Sequence, residues 1–247
     1  MGPTIHFGSL RASNPEPLPV AIVIPMQRLP SLSGIVLVAG ATGLVGSKLV
    51  VELLADPGCQ VVHALVRQPS GRTHAKLREH VVDFARLADF AWPACDDAYC
   101  CLGTTIKKAG SQAAFRIVDF DYPLAIARGA LQHGARQFLF VSAMGADAHS
   151  KVFYSCVKGE LESAVAALGL HAAIAFRPSL LAGNRAESRL GERLALAVLG
   201  PTRWLVPRQY RPVADVAVAR AMVTYAKRSL AGFHIVSSAE IQAFAPA

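Results

Sequence analysis

Residues 35–47 read Ile35-Val36-Leu37-Val38-Ala39-Gly40-Ala41-Thr42-Gly43-Leu44-Val45-Gly46-Ser47, and this stretch decides the fold. Five consecutive apolar residues are too short for a buried helix and have the pattern of a strand covered on both faces of a sheet. Three glycines, each three residues after the last, follow at once. A helix over 47–54 comes next and stops at Asp56-Pro57-Gly58. Strand, glycine turn and helix in this order open a doubly wound α/β domain.

The rest of the chain repeats the alternation. Apolar runs predict strands over 60–66, 80–83, 97–102, 138–142 and 172–176, and helices over 122–133 and 152–168 are the clearest between them. Strands alternating with helices imply right-handed crossovers, so the expected architecture is one α/β domain with a doubly wound parallel sheet. Residues 1–33 stand apart, because they hold six of the 15 prolines and no strand or helix period. They are read as a flexible arm without recognisable chemistry, with Met26 as an alternative start. Residues 179–212 are irregular and rich in Arg, which predicts a substrate lid over a domain spanning 34–247.

Composition excludes several classes. Hydrophobic residues make up 53% of the 247, too many for a disordered chain. No apolar run approaches the ~18 residues of a membrane span, and prolines break 5–20 where a signal peptide would need an apolar core. The expectation is a soluble cytoplasmic protein. The net charge is +8 and the pI is near 9.5. No run of Lys and Arg, zinc-finger spacing or aromatic RNA-binding signature accompanies it, so no specific nucleic-acid partner is expected. The five cysteines contain no CxxC pair and are read as reduced thiols without a metal.

The glycine turn is the candidate cofactor site. Gly40 permits the tight turn, Gly43 lets backbone approach a pyrophosphate, and Gly46 lets the helix lie close on the sheet. Thr42, Leu44 and Val45 supply further backbone at the helix N-terminus, whose free N–H groups attract phosphate. A turn whose glycines serve only packing is the alternative. An NAD site usually places a carboxylate about 20 residues further on. Here the second strand ends at Arg67, and Glu79 is the only carboxylate between Gln60 and His80. Arg67 could pair with a ribose 2′-phosphate, which favours NADP(H) over NAD(H), or it is a solvated strand-end charge. Asp83 could meet the adenine edge or cap a turn. Leu102, Gly103 and Thr104 leave the fourth strand at the edge where ligands bind in such sheets.

The candidate catalytic residues follow the fifth strand. Ser142 ends that strand. Tyr154 and Lys158, four apart, share one face of the next helix. A free tyrosine ionises near pH 10, and a neighbouring ammonium favours its phenolate. Lys158 could also hold the nicotinamide ribose, and Ser142 the substrate oxygen. The set suits hydride transfer with Tyr154 moving the proton.

Together GATGLVG (40–46), CLGTTIKKAGS (101–111), FRIVDFDYP (115–123), VSAMGAD (141–147), FYSCVKGELE (153–162) and FRPSLLAG (176–183) resemble an atypical member of the extended short-chain dehydrogenase/reductase superfamily. Within it the likeness is to the Tat-interacting protein family of oxidoreductase-like proteins and its bacterial relatives. The resemblance implies a Rossmann fold, NADPH binding, a Ser142–Tyr154–Lys158 triad, and cofactor contacts from Arg177 and Pro178 before a helical lid. Many superfamily members carry an Asn that keeps a proton-relay water in place, where this chain has Asp119. The expected activity is an NADP(H)-dependent oxidoreductase acting on a small carbonyl or alcohol. Alternatives are a non-catalytic NADPH sensor and a sugar-nucleotide epimerase-like enzyme. Seven arginines from Arg177 to Arg211 point to an anionic substrate or to a solvated basic surface. Homodimers are common in this fold, but no residue pattern here decides the oligomeric state.

Overall fold

The apolar runs pair as parallel strands. A computed structural model describes residues 34–182, 207–228 and 230–246. The expected arm, Met26 within it, and most of the expected lid lie outside the described residues. β1 (Ile35–Ala39), β2 (Val61–Val66), β3 (Leu77–Val81), β4 (Asp97–Cys100), β5 (Gln137–Val141), β6 (Ala172–Arg177) and β9 (Gly232–Ser237) form a seven-stranded sheet in the order β3-β2-β1-β4-β5-β6-β9. Every neighbouring pair in it is parallel. β7 (Leu181–Ala182) and β8 (Val213–Ala214) pair separately. The strand order reverses between β1 and β4, which opens a crevice at their carboxyl ends.

Alternation along the strands makes two cores. Val36 and Val38 face α1 (Leu44–Ala55) and the helix Asp215–Ala226, meeting Leu49, Leu53, Val218 and Met222. Leu37 and Ala39 point the other way, toward α4 (Tyr122–Gln132) and α5 (Phe153–Ala166), and meet Ile126, Ala130, Leu161 and Val165. Residues on adjacent strand positions necessarily serve opposite layers. α1 stops where expected: Asp56 leaves helical geometry, and its Oδ1 accepts the Gly58 N–H at 2.9 Å.

The two-residue strands β7 and β8 were not foreseen, and within the seven-stranded sheet two strands differ from the expectation for one reason. β3 covers 77–81 rather than 80–83, and β9 was not foreseen at all. Both lie at sheet edges, where one side lacks a neighbour and polar residues are tolerated. Leu77-Arg78-Glu79-His80-Val81 therefore has no apolar run to find.

Before α4, the short helices α2 (Ile106–Ala109) and α3 (Gln112–Arg116) lead into one π turn, Ile117–Asp121, in which the Tyr122 N–H bonds the Ile117 carbonyl. Pro123 supplies the cause. It has no N–H to give the carbonyl of Asp119, four residues back, and its ring clashes with that carbonyl in a regular helix. The widened turn resolves the conflict and leaves Asp119 buried.

Among the described residues, Asp97, Tyr99, Gln137 and Ser238 each bury a side-chain polar atom without a hydrogen-bond partner, and Asp97 carries the consequence for stability. Asp97, at the start of β4, accepts from Gln137 Nε2 at 3.1 Å through Oδ1, while Oδ2 has no partner. Burial pushes its carboxyl up to about 7. The folded state then holds a proton that the unfolded chain releases near pH 4, so stability falls as pH rises between those values and is flat above them. Asp97→Asn removes this dependence. In chemical denaturation the variant should gain on the parent by about 1.36 kcal/mol per pH unit through that window. Parallel pH profiles of the two proteins would contradict the assignment.

Candidate functional site

Backbone geometry builds the site first. Gly40 follows β1 with φ +80°, and a Cβ there would stand 2.7 Å from the Cys101 carbonyl carbon and oxygen. A Cβ on Gly46 would stand 2.0 Å from the Gly40 oxygen. Both glycines are therefore demanded by close approach, the first between β1 and the segment after β4, the second between α1 and the turn. Gly43 is different: a Cβ would meet only the Gly40 oxygen at 3.2 Å and the Cys101 oxygen at 4.0 Å. Its open side leaves room for a ligand. Gly43 caps α1 with no side-chain hydrogen bond, and the first turn holds no acidic residue. The positive end of the helix dipole is thus uncompensated, a fit for a diphosphate. Thr42 is exposed and Leu44 half-buried, whereas Val45 is in the core and can offer only its amide.

From the glycine turn a chain of contacts runs to the expected catalytic residues. Cys101, against Gly40, leads into Leu102, Gly103 and Thr104. The Thr104 N–H donates to Asp119 Oδ2 at 2.8 Å. Asp119 Oδ1 lies 2.8 Å from Lys158 Nζ, with the two side chains 1% and 4% exposed. Lys158 is one helical turn from Tyr154 on α5, and Tyr154 reaches the surface, 37% exposed, with its ring 5.5 Å from that of Phe115. The loop before α5 is clamped on the helix: a Cβ on Gly159 would stand 2.1 Å from the Ala148 nitrogen. The Asp147 N–H also donates to the Ser155 carbonyl at 3.1 Å. Tyr154 is therefore anchored from two sides.

The ionisation of Tyr154 departs from the expectation. Lys158 does favour the phenolate, but burial outweighs it and Asp119 opposes it, so the phenol is held above its ordinary range. Ser142 also departs. Its hydroxyl donates to Glu162 Oε1 at 2.5 Å in the buried interior. Glu162 lies eight residues, about 12 Å of helix rise, beyond Tyr154. The same carboxylate binds Arg177, whose Nε donates to Oε1 at 2.9 Å and whose second nitrogen pairs with Oε2. Ser142 and Arg177 thus meet each other's partner rather than Tyr154. Pro178, buried, accepts the Met144 N–H at 2.9 Å and joins the segments after β5 and β6.

At the other end, Arg67 is exposed just after β2. Arg72, which the sequence reading passed over, donates from Nη1 to the Ser47 carbonyl at 3.3 Å and so lies beside α1. Glu79 binds the Ser70 N–H at 3.0 Å and its hydroxyl, holding the loop between the two arginines. Asp83 takes the turn-capping alternative: Oδ1 accepts the Ala85 N–H at 2.9 Å at the start of the 3-10 turn Phe84–Asp89. Glu162 was legible as the third residue of the i, i+4, i+8 row begun by Tyr154 and Lys158. Arg72 carried no periodic signal. Among the described residues no cluster of three or more metal-ligating side chains occurs, and no helix is long and apolar enough to cross a membrane.

Comparison with known proteins agrees with this geometry. An NAD(P)H-binding family matches residues 40–174. The protein HTATIP2 of Rattus norvegicus is 36% identical over 195 residues, 76% of this chain and 79% of that one. The protein FMP52, mitochondrial, of Coccidioides immitis is 31% identical over 212 residues, 79% and 86% of the two chains. Among solved structures, MoeE5 in complex with UDP-glucose and NAD superposes with a TM-score of 0.62 at 20% identity, covering 84% of this chain and 79% of that one. A short-chain dehydrogenase/reductase family oxidoreductase from Burkholderia thailandensis superposes equally, TM-score 0.62 at 21% identity over 85% and 93%. These likenesses carry the Rossmann fold. The expected cytoplasmic location is corrected by the relatives, several of which are named mitochondrial. The expectation rested on the lack of a long apolar run and of a secretory signal core, and neither feature distinguishes cytoplasm from mitochondrion. On the match over residues 40–174 and these identities, the chain is a member of the NAD(P)H-binding family, with HTATIP2 and the FMP52 proteins as its homologues.

Proposed function

We propose that the protein is an NADP(H)-dependent oxidoreductase acting on a small carbonyl or alcohol, with Tyr154 moving the proton. The observation that carries this reading is the unbroken path from the glycine turn through Thr104, Asp119 and Lys158 to a surface-reaching Tyr154. A bound nicotinamide supplies or accepts hydride; the chain supplies everything else. Gly43 and the α1 N-terminus hold the diphosphate. Lys158 has two N–H groups left beside its bond to Asp119, and these orient the nicotinamide ribose. Tyr154 exchanges a proton with the substrate oxygen. Ser142 acts on the substrate only through the placement of α5, since its proton goes to Glu162.

Tyr154→Phe should retain NADPH binding and lose at least about a hundredfold in turnover on a panel of aldehydes, ketones and quinones. The commitment of Ser142 to Glu162 favours one second reading, an NADPH-binding sensor without turnover. Binding with no Tyr154-dependent turnover on any compound would establish that reading in place of the first.

The choice of NADP(H) rests on Arg67, exposed just after β2, and on Arg72 of the same loop, which lies beside the start of α1. Both would face a 2′-phosphate, and no carboxylate leaves β2 to hold the free 2′-hydroxyl. In titrations of the purified protein, Arg67→Ala and Arg72→Ala should each weaken NADPH by about tenfold or more and leave NADH within about twofold. Equal losses for both cofactors would refute the assignment.

A further inference from the structure

Resting on the oxidoreductase reading, we propose that Asp119 is a positioning residue that sets the pH range over which Tyr154 can give a proton to a carbonyl. By holding the Lys158 ammonium in a buried one-to-one ion pair, it offsets part of that charge at Tyr154 and so helps the phenol keep its proton until it gives it to a carbonyl being reduced.

The geometry leaves Asp119 little freedom. One carboxylate oxygen is 2.8 Å from Lys158 Nζ, and the other accepts the Thr104 N–H at 2.8 Å. A Cβ on Gly103 would already touch Oδ1 at 3.4 Å, so the segment after β4 closes over the carboxylate. The π turn imposed by Pro123 fixes the backbone that carries it. Two held oxygens and a widened turn fix the position of the pair.

The consequence lies at Tyr154. Among the described residues, the charged groups whose fields reach its hydroxyl are Lys158 on the same helix and Asp119 on the π turn; Phe115, against its ring, is apolar. A lone ammonium one turn away would favour the phenolate, the form that takes a proton from an alcohol. Offsetting part of that ammonium's field adds to burial in favouring the phenol, the form that gives one. In the reduction the carbonyl carbon accepts hydride from the reduced nicotinamide and its C=O π pair moves to oxygen. That oxygen takes the Tyr154 proton, leaving alcohol, oxidised cofactor and a phenolate. The exposed edge of Tyr154 then recovers a proton from solvent.

The test titrates Tyr154 in the cofactor-free protein by tyrosinate absorbance, each variant read against the same variant carrying Tyr154→Phe. Asp119→Asn should move the Tyr154 titration to lower pH by about one unit or more. Its carbonyl-reducing turnover should fall off with rising pH about one unit earlier than the parent's. Because an unpaired buried lysine can prevent folding, Asp119→Asn/Lys158→Gln is measured beside it. With both charges gone, Tyr154 should titrate within about half a unit of the parent. An Asp119→Asn titration and pH profile that match the parent's, or a double variant displaced as far as the single one, would overturn the role of Asp119. A parent protein that reduces no carbonyl compound, while the titrations shift as expected, would overturn the reductase reading and the use of the Tyr154 proton with it.

Discussion

A lysine taken out of water must find a counter-charge within the fold, and Lys158 finds it in Asp119. Moving an ion into a protein interior costs several kcal/mol, and removing one member of such a pair costs about 3–5 kcal/mol because the other is left buried and unpaired. Asp119 meets this demand from a turn that exists because Pro123 cannot continue a regular helix through it. Its second oxygen takes a backbone N–H of Thr104. Three segments far apart in the chain, those after β4, before α4 and along α5, are thereby fastened at one point. The crevice beside the sheet's reversal takes its shape from that fastening.

Around this point the site divides into a backbone half and a side-chain half. The backbone half consists of Gly40, Gly43, Gly46 and the open end of α1, where two glycines are required by contacts inside the protein and one leaves space outside it. The side-chain half consists of Tyr154, Lys158 and Asp119. A second group, buried Ser142 and Glu162 with half-buried Arg177, holds β5, α5 and β6 together. Glu162 explains why a serine at a strand end in the expected place does not present a free hydroxyl. A carboxylate in an apolar interior draws in every donor within reach, because leaving its oxygens unpaired costs more than the strain of turning toward them.

Much of the fold was legible from the sequence because buried parallel strands must be apolar on both faces. β1, β2, β4, β5 and β6 announce themselves this way, and their order with the intervening helices leaves few topologies open. The edges were not legible. β3 and β9 each have one unpartnered side, and Arg78, Glu79 and His234 sit in them without penalty. At the site, the glycine spacing and the Tyr154–Lys158 pair could be read as local patterns. Asp119 was visible as a departure from a family pattern that puts its charge near Lys158, yet the direct ion pair was not, since no local spacing spans the 39 residues between them. Arg72 was invisible because its place beside Ser47 depends on how a loop after β2 folds back over α1.

The sequence by itself determined the sheet's buried centre, the glycine turn and the helical row that carries Tyr154, Lys158 and Glu162. Each follows from short-range rules: apolar runs seek both layers, glycines occupy close approaches, and residues four apart share a helix face. Only the tertiary structure decided which charges meet. It gave Lys158 to Asp119, Ser142 and Arg177 to Glu162, and Tyr154 to the surface. Coulomb interactions and hydrogen bonds act through space over a few ångströms, and no spacing along the chain records which distant groups folding will bring that close.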